Sequence, residues 1–351
     1  MKNVLVLGVQ VPFVKGGAGL LQESLVREIN NLKNVNAELV VLPFKGYPEK
    51  QILNDIIIWR LLDLSESYNL KIDLVVATKF PSYAAEHSNK VLWLVHQHRL
   101  FYDLANTVFD CSENSLESNR VRSKVRLLDN QFIKECKKVY TISQNVSDRL
   151  KRFNMIESET LYPPSPYASK IEAKDYYGNK IVYIGRIDPI KRIDLLIRAL
   201  EFVKGVSITI IGSGNKTYQA ELLKLSNDIK VADRCDFLGY LSEQDMINHL
   251  SKARAVFYAP FDEDFGYATI EGFLAQKPII TCDDSGEVTT LVLETQSGLI
   301  SSNNPKEIAE NIKKINGMTC EELKRMALNG YNFAKTIKWE PVLEKLVLEN
   351  I

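Results

Sequence analysis

The sequence predicts an α/β protein made of two doubly wound domains of parallel sheet that face a central cleft. Three observations point there. Short, near-continuous apolar runs alternate with longer helical stretches along the chain, as strands covered by helices on both faces do. The 351 residues suit two domains, each able to bury a core. A proline-rich connector, Pro163-Pro164-Ser165-Pro166, divides the pattern in two, because it forbids helix and favours extended chain.

In the first half the expected strands are Val4–Leu7, Glu38–Leu42, Leu74–Ala77, Val91–Val95 and Val139–Ile142. In the second half they are Ile181–Ile184, Ser207–Ile211, Cys235–Leu238, Ala255–Tyr258 and Pro278–Thr281. Helices are expected at Leu20–Leu32, Ser143–Arg152, Ile193–Val203 and Tyr218–Lys230, with Ser143 and Ser242 as N-caps. Trp339–Asn350 reads as a final amphipathic helix, with Pro341 tolerable in its first turn. The two lobes should join near residues 163–179.

Composition excludes several classes. Charged residues make up 25%, and 44 basic side chains balance 44 acidic ones. That argues against disorder and against nucleic acid as a partner. No apolar run approaches the ~20 residues of a membrane span. The N-terminus reads as a first strand rather than a leader, since Gln10 and Pro12 interrupt it and no small-residue cleavage site follows. Five scattered cysteines form neither a disulfide framework nor a zinc motif, and are expected as reduced, mostly buried thiols of a cytoplasmic protein.

Charge is uneven. Residues 1–175 hold 23 basic and 20 acidic residues, and the remainder 21 and 24. Within Arg120–Arg152 ten basic residues face three acidic ones. This segment reads first as a solvated helix face. Its alternative is peripheral contact with anionic lipid on the inner face of a membrane.

In doubly wound folds, ligands bind beyond the carboxyl ends of the strands. The strongest signal is Glu263-Asp-Phe-Gly-Tyr-Ala-Thr-Ile-Glu271, after the strand Ala255–Tyr258. Gly266 allows close backbone approach. Tyr267 to Thr269 should open a helix whose free N–H groups favour a phosphate. Two carboxylates flanking a phosphate site suit a nucleotide sugar, with sugar at one end and ribose at the other. Gly185-Arg186-Ile-Asp188-Pro-Ile-Lys191-Arg192 follows the strand Ile181–Ile184. Arg186 and Lys191 can hold a diphosphate and stabilise its departure, while Arg192 and Arg198 are expected on the surface. Gly16-Gly17-Ala-Gly19 opens the first helix without the Walker continuation, and Gly212-Ser-Gly214 lacks the third glycine of a dinucleotide fingerprint. His96, at a strand's carboxyl end, should point at the sugar or the acceptor. No metal site is expected of His96-Gln97-His98, because no carboxylate or cysteine cluster accompanies it.

Taken in order, Gly16-Gly17, His96, Gly185-Arg186…Lys191, Phe237-Leu238-Gly239 and Glu263-x7-Glu271 resemble the GT-B glycosyltransferases of family 4. Val139-Tyr-Thr-Ile-Ser-Gln-Asn-Val and Leu161-Tyr-Pro-Pro resemble that family too. The resemblance implies two Rossmann-like domains: 1–170, binding the acceptor, with helix 338–351 crossing back to it, and 171–337, binding the donor. It implies that Arg186 and Lys191 bind the donor diphosphate, Glu271 the ribose and Glu263 the transferred sugar. Amides around Phe265, Gly266, Tyr267, Ala268 and Thr269 would contact sugar and phosphate. Gly239, Tyr240 and Leu241 would read the base. Gly17 would face the diphosphate from the first domain, and Gly16, Gly185 and Gly212 complete the expected donor-binding set. His96, Arg186, Lys191 and Glu263 are the expected catalytic residues. Tyr267 departs from the aliphatic residue more usual after Phe-Gly.

The implied activity is retaining, metal-independent and cofactor-free hexosyl transfer. The donor would be a UDP-sugar, UDP-glucose first and a GDP-sugar second. The acceptor would be a glycan or lipid-linked glycan in polysaccharide biosynthesis. Two alternatives stand beside it: a nucleotide-sugar epimerase, and a non-catalytic two-lobed sugar-binding protein.

Overall fold

A computed structural model describes residues 1–13, 16–112 and 115–351. The chain divides into unit 1, Met1–Pro164 with Lys338–Ile351, and unit 2, Ser165–Ile337.

Unit 1 runs β1 (Lys2–Gln10), α1 (Gly17–Asn30), β2 (Val35–Pro43) and α2 (Glu49–Arg60), then a small hairpin of β3 (Glu66–Ser67) and β4 (Leu70–Lys71). There follow β5 (Leu74–Ala77), β6 (Lys90–Leu94), α3 (Leu116–Lys134), β7 (Lys138–Thr141), α4 (Gln144–Asn154) and β8 (Glu159–Thr160). Its sheet has the order β2-β1-β5-β6-β7-β8 and every pairing is parallel. Leu74, Val75, Val76 and Ala77 are wholly buried, which is why β5 reads as an unbroken apolar run.

Unit 2 runs β9 (Lys180–Ile184), α5 (Ile193–Ala199), β10 (Ser207–Ile211), α6 (Lys216–Asp228), β11 (Cys235–Gly239), α7 (Glu243–Ser251) and β12 (Ala255–Phe257). It continues with α8 (Tyr267–Leu274), β13 (Ile279–Cys282), α9 (Glu287–Thr295), β14 (Gly298–Ser301), α10 (Pro305–Gly317) and α11 (Cys320–Thr336). The sheet order is β11-β10-β9-β12-β13-β14, again all parallel. Ile208, Ile210, Val256, Ile279 and Ile280 are wholly buried in it, each worth about 1.5–3 kcal/mol of burial.

Ser143 and Ser242 cap α4 and α7 through the N–H groups of Val146 and Asp245. Helix α1 begins at Gly17, three residues before the expected Leu20, so Gly17 and Gly19 lie in its first turn and Gly16 is its cap, as glycines that open the helix should. Helix α5 stops at Ala199 and tightens into a 3-10 turn, Leu200–Phe202, short of the expected Val203. The short strands β8 and β14 lay below what apolar runs signal. Two of the five cysteines are buried, not most of them: Cys136 and Cys282 are, Cys235 is half-buried, and Cys111 and Cys320 are exposed in a loop and at a helix start.

After α11 the chain returns to unit 1 through α12 (Trp339–Leu346). Trp339 meets Trp93 of β6 edge-on at 6.3 Å, and Asn89 Nδ2 donates to the Asn350 carbonyl at 2.7 Å. No helix among the described residues is long and apolar enough to cross a membrane.

Candidate functional site

Counted in chain order, the strands of the unit 2 sheet lie 3-2-1-4-5-6. The order reverses between β9 and β12, and ligands of doubly wound sheets bind beyond the carboxyl ends of the strands at such a point. The loops leaving β9 and β12 hold Gly185–Arg192 and Pro260–Gly266.

There the structure joins Lys191 to Glu263, through Nζ and Oε2 at 2.5 Å. Both side chains are mostly buried, 12% and 14% exposed. Lys191 also donates to the Tyr258 hydroxyl at 3.2 Å. Burial and the Glu263 carboxylate hold that phenol well above the usual tyrosine range, so it stays a neutral hydroxyl. Arg186 is exposed, its carbonyl accepts from the Tyr183 hydroxyl at 2.7 Å, and its guanidinium makes no hydrogen bond or ion pair among the described residues. One cation is thus committed to a carboxylate and the other is open to an anion.

Arg192 overturns the expectation of a surface role. It is 7% exposed, with a left-handed backbone at φ 51° between a 3-10 turn and α5. Its guanidinium donates to the Ala259 carbonyl at 2.8 Å, the Pro260 carbonyl at 3.1 Å and both Asp284 oxygens at 2.7 and 2.5 Å. It ties together the loops that follow β9, β12 and β13, using the planar fork of a buried guanidinium. The loop after β13 then pins Glu263 by its backbone: Glu263 N–H donates to Ser285 and its carbonyl accepts from Glu287 N–H at 3.1 Å. Sequence reading missed Tyr258, Ser165 and this third loop. Its signal was present, since Ser285-Gly286-Glu287 follows a predicted strand and opens an apolar helix.

Gly266 caps α8 at φ 85°, and a Cβ there would lie 2.9 Å from Val288. The helix starts at Tyr267, as expected, and within its first turn Thr269 N–H donates to the Gly266 carbonyl at 2.9 Å. Phe265 and Ala268 are buried, and Thr269 is wholly buried, its hydroxyl without a hydrogen-bond partner among the described residues. Glu271 is 4% exposed, and its Oε1 accepts from Ser165 Oγ at 3.1 Å. Burial pushes its carboxyl up to about 8. The Tyr267 hydroxyl is buried without a hydrogen-bond partner among the described residues, one helical turn from Glu271.

Gly239 ends β11, and its carbonyl accepts from Gly212 N–H at 2.8 Å. A Cβ on Gly212, at φ 139°, would sit 1.9 Å from the Gly185 carbonyl oxygen. Gly212 therefore serves the close approach of two strand ends. Tyr240 is exposed and Leu241 half-buried. Tyr167 links this loop to Glu271: burial raises its phenol to about 12, followed by the charges of Glu271 and Glu243.

In unit 1 the sheet order reverses between β1 and β5. Gly16, with extended backbone, caps α1 after β1, and Gly17 is its exposed first residue. His96 follows β6, half-buried, with Nδ1 2.5 Å from the Gln97 carbonyl, so Nε2 is its other polar face. His98 stacks instead among Phe44, Phe80 and Phe101, and burial lowers its pKa to about 4, leaving it neutral. Among the described residues no three His, Cys, Asp or Glu side chains cluster to hold a metal ion.

The basic segment is only partly a solvated face. Arg149 is buried against Asp103, and Arg126 donates to the Phe101 carbonyl. Arg120, Lys124, Lys134, Lys137, Lys138, Lys151 and Arg152 are exposed.

The family described as "Glycosyl transferases group 1" matches residues 168–333, from just inside unit 2 almost to its end. Residues 168–333 belong to the group 1 glycosyl transferases. The loops just described lie within this group 1 domain. The O-antigen chain mannosyltransferase RfbU of Salmonella typhimurium is 27% identical over 164 residues, 45% of each chain. The chain thus aligns with less than half the length of that curated relative. Two solved structures share the fold over nearly all of both chains. Sucrose-phosphate synthase of Thermosynechococcus elongatus has a TM-score of 0.76 at 13% identity, covering 99% of this chain and 98% of that one. HepE of Anabaena, solved with UDP and glucose, has 0.73 at 16%, covering 99% of each. The group 1 domain and unit 1 are the two Rossmann-like domains of a GT-B fold.

Proposed function

We propose that the chain is a glycosyltransferase of family 4 that moves a hexose, with retention and without a metal, from a nucleotide-diphosphate sugar to a glycan or lipid-linked acceptor. UDP-glucose is the first donor to test and a GDP-sugar the second. The observation that carries this reading is the grouping of Arg186, Lys191 and Glu263 at the reversal point of the unit 2 sheet, beside the N-terminus of α8, which no side chain caps among the described residues. HepE, solved with UDP and glucose, and RfbU, named a mannosyltransferase, lend the reading its donor class and its place in glycan assembly.

The diphosphate takes Arg186, Lys191 and the N–H groups of Tyr267 and Ala268 at the start of α8. These groups stabilise the charge that builds on it as the glycosidic bond breaks, worth several kcal/mol at about 3–4 per well-placed donor. Glu263 exchanges part of its bond to Lys191 for hydroxyls of the transferred sugar. Glu271 takes the ribose, and Gly239, Tyr240 and Leu241 border the base. Gly17 and His96 are the unit 1 residues assigned to the diphosphate and to the sugar. The acceptor hydroxyl attacks from the face the diphosphate leaves, and its proton passes to the departing phosphate.

A stripe of α3 carrying Leu116, Arg120, Lys124, Leu127 and Lys134, all exposed, supports a peripheral contact with anionic lipid on the cytoplasmic face of a membrane. Failure to pellet with anionic vesicles at low salt would remove that part alone.

The test of the function is a panel of nucleotides and nucleotide sugars scored by thermal shift, then by sugar transfer. Binding raises the melting temperature. Arg186→Ala should mainly slow turnover and Glu271→Ala should weaken nucleotide binding. Wild-type transfer rates in both variants would refute the site.

A further inference from the structure

Ser165 is the first residue of unit 2 and is 4% exposed. Its oxygen accepts from the Tyr167 N–H at 3.1 Å, and its hydroxyl donates to Glu271 Oε1 at 3.1 Å across 106 positions of sequence. With the oxygen held by the backbone, the single hydroxyl proton is aimed at the carboxyl. Among the described residues no other side chain hydrogen-bonds to Glu271 and no cation pairs with it. The ionisable groups facing it are Tyr267 on its own helix and Tyr167 on the segment that carries Ser165, with Glu243 and Tyr240 beyond Tyr167. A buried carboxyl with no cation to orient it depends on its one donor.

We propose that Ser165 is a positioning residue for Glu271: its hydroxyl holds one carboxylate oxygen and leaves the other to a vicinal diol, the ribose of the donor. The inference rests on the nucleotide-sugar reading of the site. A hydroxyl donating to a carboxylate forms a charge-assisted bond, stronger than a neutral one. It favours the ionised form, which is the form that accepts from both ribose hydroxyls. Without Ser165 the carboxyl loses both its aim and its tendency to ionise.

The experiment is calorimetric titration with UDP and with GDP from about pH 6 to about pH 9, on wild type, Ser165→Ala, Ser165→Cys and Glu271→Gln. Wild-type affinity should rise as pH passes through about 8, the value to which burial raises the carboxyl. Ser165→Ala should weaken binding at neutral pH by about tenfold and move the rise to higher pH. Ser165→Cys, nearly the same size with a weak S–H donor, should do the same and decides the matter if the alanine variant does not fold. A merely structural serine would lower affinity by one factor at every pH. That result, or wild-type binding by both serine variants, overturns the proposal. If Glu271→Gln weakens binding while the serine variants do not, this inference alone falls. If Glu271→Gln binds as wild type, or wild type binds neither nucleotide, the site reading falls with it.

Discussion

Lys191 and Glu263, 72 positions apart in sequence, meet at 2.5 Å in the group 1 domain. The pair puts the cation assigned to a phosphate in contact with the carboxylate assigned to a sugar. The two variants should therefore fail differently. Lys191→Ala should lower kcat/KM for the donor by about 10²–10³-fold, the loss of one aligned donor to a leaving group. Glu263→Gln should slow transfer comparably yet bind free nucleotide as well as wild type or better, because it releases Lys191 to the diphosphate. Calorimetry with UDP beside a transfer assay separates them, and equal loss of UDP affinity in both would contradict the division of roles.

Arg192 governs stability rather than chemistry. Arg192→Ala should cost about 2–3 kcal/mol, because it leaves two loop carbonyls without their donor and removes the pairing with the half-exposed Asp284. Arg192→Lys should recover little, since an ammonium cannot reproduce the forked geometry. Urea unfolding checks both. A lysine variant as stable as wild type would disprove the clamp.

Asp129, 1% exposed, accepts from the Tyr102 hydroxyl at 2.7 Å, and burial raises its carboxyl from 3.8 to about 7. The folded state then keeps a proton that the unfolded state releases. The contribution of this group is fully present below pH 3.8 and is lost as pH rises through about 7. Asp129→Asn, which cannot ionise, should gain stability relative to wild type across that window and hold the gain above it. Melting temperatures from about pH 4 to about pH 8 test the sign, and a constant difference would refute it.

Among the described residues the buried hydroxyl of Tyr267 has no hydrogen-bond partner. An unsatisfied buried polar group costs about 1–3 kcal/mol. Tyr267→Phe should therefore raise the melting temperature of the free protein. A lower melting temperature would mean that the hydroxyl is satisfied in solution.

Much of the fold was legible because parallel strands covered on both faces leave unbroken apolar runs, and Ile181–Ile184 and Leu74–Ala77 are such runs. The Glu263…Glu271 segment was legible because a glycine between a strand and a helix places the cap, and Gly266 does so at φ 85°. Arg192 was not. A basic residue beside a helix start has one spelling whether it faces water or reaches across two strand ends. Ser165 was read only as part of a connector, since nothing local to 165 foretells a carboxyl 106 positions on.

By itself the sequence determined the α/β class, most of the strands, the connector and the loops rich in glycine and charge, because those depend on periodicity and backbone freedom within a few residues. The tertiary structure alone decided which loops touch. Strand order brought β9 beside β12, which sent Lys191 to Glu263 and Arg192 to Asp284. It also buried Glu271 against Ser165. The physical reason is that ion pairing and desolvation act between side chains distant in sequence, and only the folded chain sets the distances on which they depend.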